Sequence, residues 1–286
     1  MISDITLGQF FPGYSPLHKL DPRTKIIIAV IAIVAVFFAN NPTAFLLLTL
    51  LTLSLIWISR ISLGVIIKGI KPILFILLFT AVLNVFMTEG AGEPLVEFWI
   101  IRIYTEGIVR AVFMALRVVL LIVITSMLLT YTTSPISLTD GLESLLSPLK
   151  KIGVPVHTFA MMMSIALRFI PTLVEETEKI MNAQKSRGAD FASGSLIKRA
   201  RALVPILIPL IVSSFKRAEE LATAMECRCY RGDKNRTKLV KLEYRARDVF
   251  FMILSLLSLG AVITLSTFPY SIGASGTLFE VLFYKI

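Results

Sequence analysis

Uncharged apolar runs alternate along this chain with short polar or basic stretches, and the run lengths predict helices rather than strands. Residues 25–39 (KIIIAVIAIVAVFFA) and 43–58 (TAFLLLTLLTLSLIWI) carry no charge after Lys25, and Asn40, Asn41 and Pro42 between them form a polar turn. The pair predicts an antiparallel helical hairpin. A third run, 72–88, follows a basic connector with Arg60, Lys68 and Lys71. A fourth, about 107–133, follows an acidic connector with Glu89, Glu93, Glu97 and Glu106, and a fifth runs from Val249 to about Phe268. These five runs are expected to cross a bilayer. The fold class is therefore all-α: a polytopic membrane helical bundle with a cytoplasmic module of long amphipathic helices.

Two more apolar runs, 154–174 and 203–214, lie inside the strongly basic stretch 134–247. If both crossed the membrane, the connector with Lys179, Lys185, Arg187, Lys198, Arg199 and Arg201 would lie outside, against the retention of basic loops in the cytoplasm. The second run is also short and holds Pro205 and Pro209. Both are expected to lie along the cytoplasmic face or against protein. The resulting layout is a cytoplasmic N-terminal lead-in (1–24), a membrane bundle of four helices (25–133), a cytoplasmic module (134–247), a C-terminal transmembrane helix (248–268) and an external tail (269–286).

Composition supports a lipid environment: of 286 residues, 56% are hydrophobic and 17% charged, where a soluble domain carries about 25% charge. The net charge of +10 sits beside the apolar runs, so it implies topology and contact with anionic lipid rather than with nucleic acid. Lys19, Arg23 and Lys25 place the N-terminus inside. Acidic and polar residues precede the first apolar run, unlike a cleaved signal peptide. Cys227 and Cys229, with only His18 and His157 as histidines, cannot complete a four-ligand zinc site, and they read as reduced cytosolic thiols.

No G-x-x-x-x-G-K-[ST] phosphate loop occurs, so a transport protein of this sequence would not hydrolyse ATP itself and would draw its energy from elsewhere. The five runs hold no Asp or Glu in their interiors, which disfavours a stand-alone ion-driven carrier. Arg117 is the one clear charge within them, and it reads as snorkelling to the outer interface or pairing with a neighbour. A polytopic membrane enzyme acting on lipid or isoprenoid substrates is the alternative, although Asp140, Asp190, Asp233 and Asp248 are isolated in sequence. His18 and His157 lie near helix starts and suit interfacial or capping roles.

The candidate functional residues lie at two helix ends. A helix-like stretch 172–183 carries Glu175, Glu176 and Glu178 early and Lys179 late, as the helix dipole favours, and leads to Ser186-Arg187-Gly188. A second stretch, 215–225, leads to Cys227-Arg228-Cys229. Each arginine could complement its own helix dipole, with Gly188 as a left-handed cap. The sharper reading, favoured by the repetition, is that each projects into a groove on a partner.

At this point the chain resembles a known family. GQFFPGYSPLHKLDPRTK is similar to the segment leading into the first span of energy-coupling factor T components. ALRFIPTLVEETEKIMNAQKSRGADF and PLIVSSFKRAEELATAMECRCYRG resemble that family's coupling module, with its two X-Arg-X signatures. The resemblance implies a non-enzymatic coupling subunit in a prokaryotic plasma membrane. Its partners would be two ABC-type ATPases, which bind the ATP, and a small membrane S component, which binds vitamins or related micronutrients. It places Arg187 and Arg228 in ATPase grooves and implies no cofactor or metal in this chain. The lead-in looks more like a module shared between several substrate-binding subunits than a dedicated cobalt or nickel system. The second signature departs from the usual Ala-Arg-Gly, so its capping role is expected to pass to Gly232. In the lead-in, Asp21 suits an N-cap and Pro22 the first helical position. Exposed apolar surface for the S component is expected at Met161, Met162 and Met163 and around Pro205 and Pro209, unless these residues pack within the subunit itself.

Overall fold

The computed structural model describes residues 10–88, 96–98, 101–189, 191, 195–230, 232 and 242–267. Gly8 and Gln9, Glu89 and Glu93, Asp190 and Asp233, and the expected tail 269–286 lie outside the described residues. Over the described residues the chain divides into two units, one formed by residues 10–141 with 242–267, the other by residues 142–232.

The first unit starts where local chemistry demands a helix. Asp21, in extended conformation, accepts a 2.9 Å hydrogen bond from the Arg23 N–H, and Pro22 opens α1 (Pro22–Phe38). An N-cap oxygen satisfies a donor that the first helical turn leaves unpaired, and proline loses nothing there. Asn41 precedes α2 (Pro42–Ser59), but its side chain does not cap it; Nδ2 donates to the Leu265 carbonyl at 3.0 Å. α3 (Leu63–Ile70) runs through one 3-10 turn into α4 (Leu74–Met87). A two-stranded antiparallel hairpin, β1 (Val96–Phe98) with β2 (Ile101–Ile103), then leads to α5 (Thr105–Thr125). The hairpin was not legible in the acidic connector, because three residues per strand are too few for alternation to declare itself. α5 continues as a π-helical turn (Ser126–Tyr131), and α6 (Pro135–Leu146) follows. The unit closes with α9 (Ala246–Thr267).

α1 packs against α9 and α5. Its buried Ala29, Ala35 and Val36 meet Leu120, Ile124 and Val262 in one apolar cluster, and small side chains let such helices approach closely enough for dispersion to hold them. A second cluster joins Ile66, Val123, Met127 and Tyr131. There Gly69 lies directly under the Tyr131 hydroxyl, and a β-carbon at that position would collide with it. Arg117 does pair with neighbours: a guanidinium nitrogen donates to the Ala39 carbonyl at 2.6 Å, and the group stacks 5.4 Å from the Phe45 ring centroid.

Polar contacts tie the start of α1 to the start of α9. Asp248, 2% exposed, accepts from the Asp21 N–H through Oδ1 and from the Arg245 N–H through Oδ2, both at 2.8 Å. This contact of Asp248 had no local signature in the sequence, because its partner Asp21 lies 227 positions away. Lys25 is buried beside them and donates to the Thr132 carbonyl at 2.6 Å and to that of His18 at 3.3 Å. Arg23 donates to the Leu242 carbonyl at 3.3 Å and lies over the Tyr244 ring. His18 bridges its own segment, with Nε2 2.9 Å from the Phe11 carbonyl and Nδ1 2.7 Å from Ser15 Oγ. Since the carbonyl can only accept, Nε2 carries the proton and Nδ1 accepts from the hydroxyl. Burial, the largest influence, lowers the His18 pKa from its ordinary value; the Phe11 carbonyl opposes this, and the charge of Lys25 adds to it.

Among the described residues, five helical stretches are long and apolar enough to cross a membrane: Pro42–Ser59, Leu63–Met87, Thr105–Tyr131, Val156–Ser186 and Ala246–Thr267. Four of them overlap expected spans. α1, at 17 residues, is not among them, whereas Val156–Ser186, expected to lie along the membrane face, is. The difference arises because length and apolarity ignore the basic connector that follows that helix, whereas the topology expectation rested on it.

In the second unit, what looked like four separate segments forms two continuous helices, α7 (Val156–Ser186) and α8 (Leu196–Cys227), packed on each other. Pro171 in α7 and Pro205 and Pro209 in α8 are accommodated within them. His157, near the start of α7, holds Glu143 at 2.9 Å.

Candidate functional site

α7 and α8 end by the same device. At the end of α7 the Gly188 N–H reaches the Lys185 carbonyl at 2.9 Å, and the Ala189 N–H reaches that of Gln184 at 3.0 Å. At the end of α8 the Cys229 N–H reaches Glu226 at 2.8 Å, and the Tyr230 N–H reaches Met225 at 3.0 Å. Both are Schellman caps, in which a left-handed residue turns the chain so that two orphan carbonyls are satisfied. Gly188 takes that conformation at φ +83° and Cys229 at φ +56°. The expectation that capping passes to Gly232 is therefore corrected: Gly232 does have a positive φ, but the cap bonds are made at Cys229 itself.

Arg187 and Arg228 thus occupy equivalent positions, each directly before the left-handed residue. Both are exposed, and neither guanidinium has a hydrogen-bond or ion-pair partner among the described residues. Backbone N–H groups, not arginine side chains, satisfy the final carbonyls, so the caps do not consume the guanidinium donors. Beside Arg187, Ser186 is exposed and returns its hydroxyl to the Asn182 carbonyl at 3.1 Å. Cys227 and Cys229, on either side of Arg228, are free and exposed.

One contact within the unit had no clear signature in the sequence. Arg217 of α8 donates to Glu176 Oε2 of α7 at 3.0 Å. The expectation that Glu175, Glu176 and Glu178 serve a helix N-terminus is corrected, because α7 begins at Val156 and they lie well inside it. Arg187 follows Glu176 by eleven residues, and Arg228 follows Arg217 by eleven. Measured from this contact, each helix carries its arginine on an arm of about 16 Å. The pairing was hidden because Glu176 and Arg217 lie 41 positions apart.

The expected apolar surface is present in part. Met162 and Met163 are 49% and 54% exposed, and Pro205 and Pro209 are also exposed, whereas Met161 is half-buried. Along α8 the exposure extends to Val204, Ile208, Ile211 and Phe215, which recur at helical spacing, while Ile206 is buried.

Comparison with known proteins agrees on one family. The family model described as a cobalt transport protein, CbiQ, matches residues 13–239. An energy-coupling factor transporter transmembrane protein EcfT of Clostridium kluyveri is 56% identical over 248 residues, covering 87% of this chain and 92% of that protein. The protein of the same name from Ruminiclostridium cellulolyticum is 54% identical over 250 residues, covering 87% and 92%. That of Bacillus subtilis is 48% identical over 263 residues, covering 92% and 98%. Matched along most of its length by both comparisons and built of helices able to cross a membrane, the chain is a multi-pass membrane protein of the CbiQ/EcfT family, the transmembrane proteins of energy-coupling factor transporters.

Proposed function

We propose that this subunit couples ATP hydrolysis by two partner ATPases to movement of a substrate-binding membrane subunit, with Arg187 docked in one ATPase and Arg228 in the other. The observation that carries this reading is the equivalence of the two helix ends: the same cap, the same exposed arginine without a partner among the described residues, and arms of equal length from the Glu176–Arg217 contact. Two equal arms suit two similar partners. ATP is bound by those partners, and the chain performs no bond chemistry of its own. The N-terminus and residues 134–247 lie in the cytoplasm, as the basic residues there favour. The exposed face of α8, with Met162 and Met163 of α7, receives the substrate-binding subunit, which selects a vitamin or related micronutrient. The family description names cobalt and the relatives' names specify no substrate, consistent with selection by a different subunit.

Purification of the complex with Arg187→Ala and Arg228→Ala variants tests the assignment. Losing one side of a desolvated, charged hydrogen-bonded contact costs about 2–5 kcal/mol, so each variant should release ATPase and reduce uptake while inserting normally. Lysine should restore only part, because it keeps the charge but not the planar fork. A double alanine variant that retained both ATPases and imported at the normal rate would sink the proposal.

A further inference from the structure

The fold leaves both thiols beside Arg228 unused. Cys227 is the last residue of α8, Cys229 holds the left-handed cap position, and both are free and exposed. On helical spacing their Cα atoms lie about 5.4 Å apart, inside the range of about 4.4–6.8 Å that a disulfide spans. Proximity is therefore sufficient, but direction is not. Side chains two apart project from different sides of a helix. The 2.8 and 3.0 Å bonds from the Cys229 and Tyr230 N–H groups also keep residue 229 from turning toward Cys227. Joining the two sulfurs requires those bonds to break and the last turn of α8 to open.

We propose that Cys227 and Cys229 form a peroxide-sensitive dithiol whose disulfide excludes the helix end that presents Arg228, so that oxidation releases one ATPase. The proposal rests on the docking role assigned to Arg228 above. One thiol gives up its proton, its thiolate attacks hydrogen peroxide, and the O–O bond breaks to leave a sulfenic acid and a hydroxide that takes up the released proton as water. The second thiol displaces the sulfenic oxygen as another water, closing the S–S bond; two thiols are oxidised as one peroxide is reduced. A bridge that must hold the chain against its preferred cap is strained, and strained, exposed disulfides are the readily reduced ones. The change is thus reversible by cellular thiols. Arg187 ends in Ser186 and Gly188 and has no such chemistry, so only one of the two arms is sensitive.

The test treats the purified full chain in lipid nanodiscs with hydrogen peroxide, blocks remaining thiols, and measures both the mass of the peptide holding both cysteines and binding of the purified ATPase pair. Expected are an intramolecular bridge, seen as loss of two hydrogens, and at least tenfold weaker ATPase binding, both reversed by dithiothreitol. Cys227→Ser, which leaves the residue 229 cap intact, should form no intramolecular bridge, and its ATPase binding, compared with the same variant untreated, should not change with peroxide. Only sulfinic acids or intermolecular dimers at these positions would overturn the dithiol. A bridge with unchanged binding, in a protein whose Arg228→Ala variant does lose binding, would overturn the switch alone. If Arg228→Ala bound normally, the docking reading itself and the switch built on it would fall, while the mass measurement would still decide the dithiol.

Discussion

A β-carbon at position 229 stands where a Schellman cap favours none. The left-handed conformation costs a side-chain-bearing residue about 1 kcal/mol, and Cys229 bears it at φ +56°. Cys229→Gly should therefore stabilise the end of α8 by about 1 kcal/mol, and Gly188→Ala should weaken the end of α7 by a similar amount. Amide hydrogen exchange of the two final turns can measure both, and a Gly188→Ala variant with unchanged protection would argue against the cap geometry. His18 carries a different prediction. Its folded pKa lies below the ordinary value of 6.5, so as pH falls the unfolded chain takes up the proton before the folded one does. Stability of the residue 11–18 bridge should be full above about pH 6.5 and decline below it. Limited proteolysis of that segment should accelerate in acid, and His18→Gln should flatten the dependence. The sequence made Asp21 and Pro22 legible, because capping acts between neighbours. It left Asp248 unreadable, because a carboxylate's distant partners have no local signature.

Along the helices, α7 and α8 show how prolines can mislead. Pro205 and Pro209 were read as interruptions, yet both sit inside α8, a helix of 32 residues, as Pro171 sits inside α7, one of 31. Proline removes one hydrogen bond and crowds the preceding turn, but a long helix packed on a neighbour has other contacts to hold it. The Glu176–Arg217 contact lies where the two helices meet, and its side chains are 22% and 40% exposed. Its worth to stability is accordingly small, as for exposed ion pairs in general. Its geometric effect should be larger, because it fixes the point from which both arms are measured. Glu176→Lys should lower uptake while hardly changing thermal stability, and Glu176→Lys with Arg217→Glu should recover much of it. Equal uptake in the single and double variants would show that the contact sets no geometry. The hairpin at 96–103 escaped notice for the opposite reason: its elements are too short for periodicity to reveal.

For the whole molecule, four of the five expected spans and the two helix ends that carry Arg187 and Arg228 were readable because apolar runs and helix ends are local features of a chain. The division into units was less so, since the first unit uses both early and late residues. That arrangement bears on how the protein is made. When residues 10–141 have been synthesised, the Asp21 N–H still lacks the Asp248 carboxylate, and the apolar cluster lacks Val262. More than a hundred residues must leave the ribosome before α9 supplies both. Contacts so distant in sequence form late, so the nascent membrane unit passes through a stage with one flank of α1 uncovered. A chain ending at residue 241 should insert its early helices yet be cleared by membrane proteases. Adding α9 as a separate polypeptide should rescue it, and pulse-chase half-lives can measure both outcomes. A truncated chain as long-lived as the full one would remove α9 from this role. The last helix to be synthesised would then act as a quality check, marking which copies are complete enough to be kept and assembled.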